Sequence, residues 1–370
     1  MSALDSVQVR EAEQSDAEDI VEMFNEEYDT YFGKFVEEEE LKGHVDHMPR
    51  EEEFVDQAAK GEVPEELVVV LEDGDFIGSG GLEVQDNRLE LKSTMVRKDR
   101  RKERIDGCTG YEKLFDDRLE DAEEIIRSEE GPGIAYTQPV SAKTAGTQHV
   151  ASKKGFVPTS VYDNKYFEVY PDRGRVSVVN MVYADSDFDD SGDLHLPQDI
   201  HEAGENIMGS INSQRSEDLD KVERQIKQED YNGSYSLTCE TLPEPFNIAD
   251  IKIKPSENGK SLDSVVEEIE CIEEELREHG DDYWMKASLD AESPLASEAA
   301  EELREHGFEY AGINLDYMDG RDALEMQRRP GPMKERQFIS PVLELIEELG
   351  IDYGDAERAS NYGGSTYVSI

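Results

Sequence analysis

The residues best suited to chemistry lie in "MVRKDRRKERIDGCTGYEKLF", residues 95–115, where six of the eight positions from Arg97 to Arg104 are Lys or Arg. A helical pattern follows at once: Tyr111, Leu114, Phe115, Leu119, Ala122, Ile125 and Ile126 recur at 3.6-residue spacing. Thr109 and Glu112 have the spacing of a capping box and mark the helix start. A helix N-terminus, a loop carrying Gly107 and Gly110, and local positive charge together predict an anion site. Arg101, Arg104, Cys108 and Thr109 belong to the same loop. Cys108 there is either a small residue fitting the turn or a thiol activated by the surrounding charge.

Other constellations point less far. His44 and His47, with Asp46, have a spacing compatible with metal ligation, but no HExxH pattern or cysteine partner accompanies them, and no metal is predicted. "SENGKS", residues 256–261, lacks the spaced glycines of a P-loop. Cys108, Cys239 and Cys271 are odd in number and widely spaced, which indicates neither a disulfide framework nor a zinc site.

The basic run stands out because the chain carries 89 Asp plus Glu against 38 Lys plus Arg, a formal net charge of −51. Acidic residues recur throughout, including the polar face of "SVVEEIECIEEELREH", so they do not form a disordered tail. We read an adaptation to high salt, where screening relieves self-repulsion and carboxylates keep the surface soluble. Nucleic acid and anionic membranes would be repelled. No apolar run reaches about 18 residues and the N-terminus has no leader pattern, so the expected location is the cytoplasm. At 370 residues and 36% hydrophobic, the chain can build two cores.

Strand and helix patterns position the basic loop. "VQVREAE" alternates like a strand, and "SDAEDIVEMFNEEY" reads as a helix with Ser15 and Glu18 as its capping box. A polar, helix-prone stretch runs to about residue 63. "ELVVVLED", "DFIGSGGLEVQ" and "RLELKSTMV" then read as strands joined by hairpins. After the capped helix come a buried strand "GIAYTQPV" and a helix "SAKTAGTQHVASKKG" with Gly in the C′ position. "FVPTSVYDNKYFEVY" and "GRVSVVNMVYAD" are two further strands.

This order, with "MVRKDRRKERIDGCTGYEKL" and then "TQHVASKKGF", resembles the GNAT (Gcn5-related N-acetyltransferase) superfamily. The resemblance implies a splayed gap between two central strands that holds acetyl-CoA, with its pyrophosphate on the turn before the long helix. It makes "LELKSTMV" the cofactor-side strand, whose backbone between Ser93 and Val96, Met95 included, meets the thioester carbonyl. It makes Arg104 to Gly110 the pyrophosphate loop: Arg104, Gly107 and Thr109 match the family's spacing, with Thr in the last place. An alternative register starts at Arg101. Where members often carry a tyrosine as general acid, four residues before the Gly-Phe pair, this chain has Ala151. Glu90 and His149 are the candidate general bases.

The second half repeats the pattern. "SYSLTCETL", "NIADIKIKP", a helix ending "LREHG", "DDYWMKASL", a second helix ending "LREHG" and "FEYAGINLDYM" reproduce the central order of the first. The sequence therefore predicts a mixed α/β protein of two tandem GNAT-like domains, each a mixed, mostly antiparallel sheet flanked by helices. Residues 1–185 would form the acyltransferase domain and 186–370 a degenerate copy preceded by connecting helices. The second copy's turn keeps Gly259, Lys260 and Ser261 but lacks the arginines. "RRPGPMKER", residues 328–336, reads as a solvated loop. The expected function is acyl-CoA-dependent acylation of a small-molecule amine or a protein amino group. The alternative is a GNAT-fold acyl-CoA-binding module without activity.

Overall fold

The computed structural model describes residues 7–28, 65–72, 74–85, 88–97, 99–100, 104–105, 108–128, 132–141, 145–166, 176–184, 192–214, 225–227, 233–242, 247–280, 283–329, 337–351 and 357–358. The strands are β1 (Val7–Glu11), β2 (Glu65–Glu72), β3 (Asp75–Gln85), β4 (Arg88–Val96), β5 (Ile134–Thr137), β6 (Val157–Tyr166), β7 (Val176–Tyr183), β8 (Tyr235–Leu242), β9 (Ile248–Pro255), β10 (Trp284–Asp290), β11 (Glu309–Asn314) and β12 (Ala323–Arg328). The helices are α1 (Ala17–Tyr28), α2 (Gly110–Ile126), α3 (Gly146–Lys153), α4 (His201–Gln214), α5 (Leu262–His279), α6 (Ala296–Glu305) and α7 (Ser340–Glu348). Short pairings join residues 104–105 to 108–109, 194–195 to 226–227, and 337–338 to 357–358.

One mixed sheet runs through the molecule in the order β1-β2-β3-β4-β5-β7-β6-β11-β12-β10-β9-β8, with Val140–Ser141 added on β7. The mixed α/β class read from the sequence is thus observed, with the two expected sheets joined edge to edge. The strand β12, "ALEMQR", and the helix α7 were not anticipated by the sequence reading. The proposed domain boundary at 185/186 lies outside the described residues, as do the stretch to residue 63 and the pair His44 and His47.

Internal repetition explains the order. In the first half β3-β4-β5-β7-β6 are linked antiparallel, parallel, antiparallel and antiparallel. In the second, β8-β9-β10-β12-β11 are linked in the same sense at each step. The helices correspond too, α2 with α5 before the parallel strand and α3 with α6 after it. Both α3 and α6 stop at a glycine of positive φ, Gly155 and Gly307. The next amide, of Phe156 or Phe308, returns to the helix at Ala151 O or Leu303 O, 3.0 Å away in both cases.

The halves meet where β6 pairs antiparallel with its own counterpart β11, at Ser160 against Gly312. Gly312 has φ +135°, and a Cβ there would overlap the Thr159 carbonyl oxygen and lie 2.5 Å from Ser160 Cα. Only glycine permits this approach. Trp284 and Tyr162 pack edge to face beside the seam, ring centres 6.0 Å apart.

Within the first half the two sheet faces differ. Val69, Phe76 and Met95 pack with Ala17, Ile20 and Met23 of α1 on one face. Gly78 and Val96 face α2 on the other, where Gly110 sits so close that a Cβ would meet Ile77 at 3.3 Å and Val96 at 3.5 Å. The start of α1 differs from expectation: the capping box joins Glu13 to Asp16, not Ser15 to Glu18, and a 3-10 turn, Gln14–Asp16, precedes the helix. Asp16 is held there because Arg10 grips both its oxygens, at 2.7 and 2.8 Å.

Candidate functional site: an open strand gap and its closed counterpart

The sequence of β4 places Arg88, Glu90 and Lys92 on one face and Leu89 and Leu91 on the other, by the period of a strand. A bulge then sets Ser93 and Thr94 against Gly80, so Met95 pairs with Ser79 and Val96 with Gly78. Toward β5 the parallel ladder holds only Arg88, Leu89 and Glu90, against Ile134, Ala135 and Tyr136. The Thr137 hydroxyl donates to Leu91 O at 3.0 Å, and β4 runs on to Val96 past the end of that ladder. The ladder between these strands therefore stops six residues short of the end of β4.

Beyond the gap, Arg97 N donates to Ile77 O at 2.8 Å and Arg100 N closes a turn on Arg97 O at 2.9 Å. Arg101 and Gly107 lie outside the described residues. Arg104 and Cys108 are described by backbone alone, in the short antiparallel pair Arg104–Thr109 and Ile105–Cys108. Thr109 caps α2 as the sequence predicted: its Oγ1 accepts from Glu112 N at 3.1 Å and its own N–H donates to Glu112 Oε2 at 2.9 Å. The amides of Gly110 and Tyr111 lie outside this box. A Cβ on Gly110, expected to admit a ligand, would also stand 3.3 Å from the Ile77 side chain, a tight contact.

Glu90 pairs across the strand with Glu83, to which Lys92 is bonded at 2.6 Å. Its Oε2 accepts a hydrogen bond from the Tyr136 hydroxyl at 3.0 Å. Burial, then the nearby Glu90 charge, pushes Tyr136 far above the ordinary phenol range, so it is a neutral donor at pH 7. The Arg88 guanidinium lies 4.2 Å from the Tyr136 ring centre and 4.7 Å from that of Tyr317, a residue of the second half. Arg88 Nη1 donates to Asn314 Oδ1 at 2.6 Å.

His149 is elsewhere. Lys154, at the end of α3, is ion-paired with Asp116 of α2, which places α3 on the α2 face while Glu90 points to the opposite one. Burial, then Lys153, holds the His149 imidazole below its usual pKa, and its Nε2 is buried without a hydrogen-bond partner among the described residues. The structure does not bring the two candidate bases together. Ala151 is fully buried in the core.

The second half presents the matching positions in a different state. Aligned through the two ladders, Glu90 corresponds to Asp250, Tyr136 to Lys286, Lys92 to Lys252 and Glu83 to Glu240. Here β9 and β10 stay paired over six residues, from Ile248–Trp284 to Ile253–Leu289, and no gap opens. The turn before α5 is filled: Tyr235 and Lys260 exchange backbone hydrogen bonds of 2.9 and 2.8 Å, and a Cβ on Gly259 would overlap the Tyr235 carbonyl. Lys286 lies 2.9 Å from Asp250 and 3.9 Å from the fully buried Glu325. Burial alone would push its ammonium down, but Glu325, Tyr317 and Asp250 hold it well above the usual value. The expected solvated loop at 328–336 is corrected at its start: Arg328 pairs with Glu273 at 2.8 Å, and Arg329, 5% exposed, with Glu309 at 2.9 Å. Both end a strand whose neighbours supply carboxylates, and 330–336 lie outside the described residues.

Tyr136, Arg88, Asn314 and Tyr317 were missed by sequence reasoning. A tyrosine in the buried strand "IAYT" was a signal for the first, since a buried phenol needs a partner. The other three meet only through the seam between halves. Among the described residues no cluster of His, Cys, Asp and Glu could hold a metal, and no helix is long and apolar enough to cross a membrane.

Solved acetyltransferase structures are similar to about half of this chain. An N-acetyltransferase from Staphylococcus aureus is 12% identical, with a TM-score of 0.37, and the likeness covers 48% of this chain and 98% of that one. A GNAT-family acetyltransferase from Streptococcus pneumoniae is 16% identical, with a TM-score of 0.36, over 48% of this chain and 99% of its own. A chimera of a spermidine N-acetyltransferase from Vibrio cholerae is 17% identical, with a TM-score of 0.35, over 48% and 95%. No protein-family profile matches the sequence.

Proposed function

We propose that the first half is an acyl-CoA-dependent N-acetyltransferase acting on an amine, and that the second is a tandem copy that has lost the site. The observation that carries this is the ladder between β4 and β5, which ends after Glu90, beside its fully zipped counterpart between β9 and β10. In this reading a backbone amide within Ser93 to Val96 meets the thioester carbonyl, which would gain negative charge as an amine attacks. Acetyl-CoA would lie along this gap, its pyrophosphate toward the α2 N-terminus and the loop of Arg101, Arg104, Gly107, Cys108, Thr109 and Gly110. The basic octet then supplies counter-charge that the rest of this acidic chain lacks.

Glu90 is the base in this reading, because it lies on the gap strand and its carboxylate accepts a hydrogen bond from the Tyr136 hydroxyl. It would take the ammonium proton, the neutral amine nitrogen would bond to the thioester carbon, the C–S bond would break, and the surplus nitrogen proton would pass to solvent as the amide forms. With Ala151 in the acid position, no side chain is assigned to reprotonate the thiolate, which leaves to solvent. His149 is set aside as base by its place on the α2 face. Release of free CoA thiol from acetyl-CoA with a panel of amines in molar KCl, beside calorimetric binding of acetyl-CoA, tests the proposal. Turnover supports it. Binding without turnover would favour an acyl-CoA-binding module, the reading that Ala151 motivates, and absence of both would overturn it.

A further inference from the structure

We propose that the second half takes part in the first half's chemistry: Tyr317 and Asn314 are positioning residues that fix Arg88, and through it the Tyr136–Glu90 pair. The inference rests on Glu90 being the base.

Arg88 is 2% exposed, and no carboxylate lies within ion-pair distance of it among the described residues. A buried guanidinium normally demands such a partner. Arg88 instead stands between the rings of Tyr136 and Tyr317, with one hydrogen bond to Asn314. Both second-half residues are themselves held. Asn314 Oδ1 also accepts from Asn180 Nδ2 at 3.2 Å, while its Nδ2 donates to Glu325 Oε1 at 3.3 Å and to the Tyr162 hydroxyl at 3.4 Å. Donors on one side and acceptors on the other fix which end of the amide faces Arg88. The Tyr317 hydroxyl accepts from Lys286 Nζ at 2.7 Å and donates to Asp250 Oδ2 at 3.3 Å. The ion pair that neutralises the second copy's own carboxylate thus anchors the ring that covers Arg88.

On its other face Arg88 covers the Tyr136 ring, and the Tyr136 hydroxyl ends on Glu90. A ring pinned by a stacked guanidinium keeps its hydroxyl on the carboxylate, and a hydrogen bond to the charged form favours that form. Among the described residues, Glu83 lies across the strand from Glu90 and opposes its ionisation, and Lys92 is bonded to Glu83. Freeing Arg88 should therefore raise the pH at which Glu90 ionises and leave its carboxylate less well placed to take the proton, without touching the strand gap.

Two substitutions of Tyr317 separate positioning from packing. Tyr317→Phe keeps the ring face but loses both hydroxyl contacts; Tyr317→Leu keeps the bulk but loses the ring. We expect Tyr317→Leu to lower kcat by about tenfold and to move the acid limb of the pH profile up by roughly one unit, the scale of one charge-assisted hydrogen bond. Acetyl-CoA affinity should be unchanged. Tyr317→Phe should lose stability yet keep the wild-type pH profile. A 13C titration of the Glu90 carboxyl, assigned by difference from Glu90→Gln, reads the same shift without turnover. It therefore tests the linkage even if the wild type transfers no acetyl group, an outcome that would sink the enzymatic reading alone. The proposal is overturned if Glu90 titrates alike in wild type and Tyr317→Leu, or if Tyr317→Phe shifts it as far as Tyr317→Leu does.

Discussion

Replacing Gly312 by alanine probes the seam on which the communication between halves depends. Two terms can be read from the structure. At φ +135° a residue with a Cβ costs about 1–2 kcal/mol in backbone conformation. The added methyl would overlap the Thr159 carbonyl and lie 2.5 Å from Ser160 Cα, both rigid backbone, so β6 and β11 must part. Overpacking of this kind costs about 1–3 kcal/mol, and a lost ladder hydrogen bond about 1 kcal/mol more. The sum, about 3–6 kcal/mol, is a large share of the roughly 5–15 kcal/mol that a folded domain has to lose. Trp284 is the chain's one tryptophan and packs against Tyr162 across the seam, so its fluorescence reports the junction. In urea titrations in molar KCl, Gly312→Ala should bring the tryptophan transition to lower denaturant and ahead of the loss of helical circular dichroism. A change below about 1 kcal/mol, with the two probes still coincident, would refute the reasoning, because a clash between backbones cannot be relieved so cheaply.

Other perturbations have equally definite outcomes. Glu90→Gln keeps the Tyr136 contact but cannot take a proton; kcat should fall by about 10²–10⁴-fold with acetyl-CoA affinity intact, and a fall below tenfold would remove Glu90 as base. Lys286→Met strands Asp250 and Glu325 and should cost about 3–5 kcal/mol in urea unfolding, with part recovered in Lys286→Met/Glu325→Gln; equal losses in both would mean that the charges are not coupled. Because the folded-state pKa of Lys286 is raised, its contribution is complete below the usual lysine value and is lost only as pH rises through the higher one, so stability measured between pH 7 and 9 should show no loss from this group. Dilution from molar KCl to about 0.1 M lengthens the Debye length from about 3 to about 10 Å, and repulsion among 89 acidic residues should unfold the chain, with activity and circular dichroism falling together. A cooperative fold at 0.1 M salt would refute the reading of the composition as salt adaptation.

Much of the fold was legible because its signals are local. The Thr109–Glu112 box, the strand patterns of "ELVVVLED" and "NIADIKIKP", and the two helix ends before Gly-Phe each lie within a few residues of what they determine. The misplaced cap at Ser15 shows the limit even there: Asp16 was claimed by Arg10, six positions away. "ALEMQR" escaped because a central strand buried on both faces does not alternate, and Glu325 and Gln327 look solvated until Ser288 and the Val161 carbonyl are seen to meet them. The candidate site divides in the same way. Glu90 and the basic loop could be named from the chain, whereas the Arg88 stack could not: its partners are 48 and 229 positions away and converge only because equivalent strands pair at Gly312.

The most direct test of the whole account is the stoichiometry of acetyl-CoA binding to the intact chain, measured by isothermal titration calorimetry in molar KCl. An open gap in one half and a zipped one in the other predict one site per chain, weakened by roughly 1–3 kcal/mol in Arg104→Ala and unaffected by Lys260→Ala in the second turn. Two sites per chain, a single site sensitive to Lys260 and indifferent to Arg104, or no heat of binding at all would contradict it.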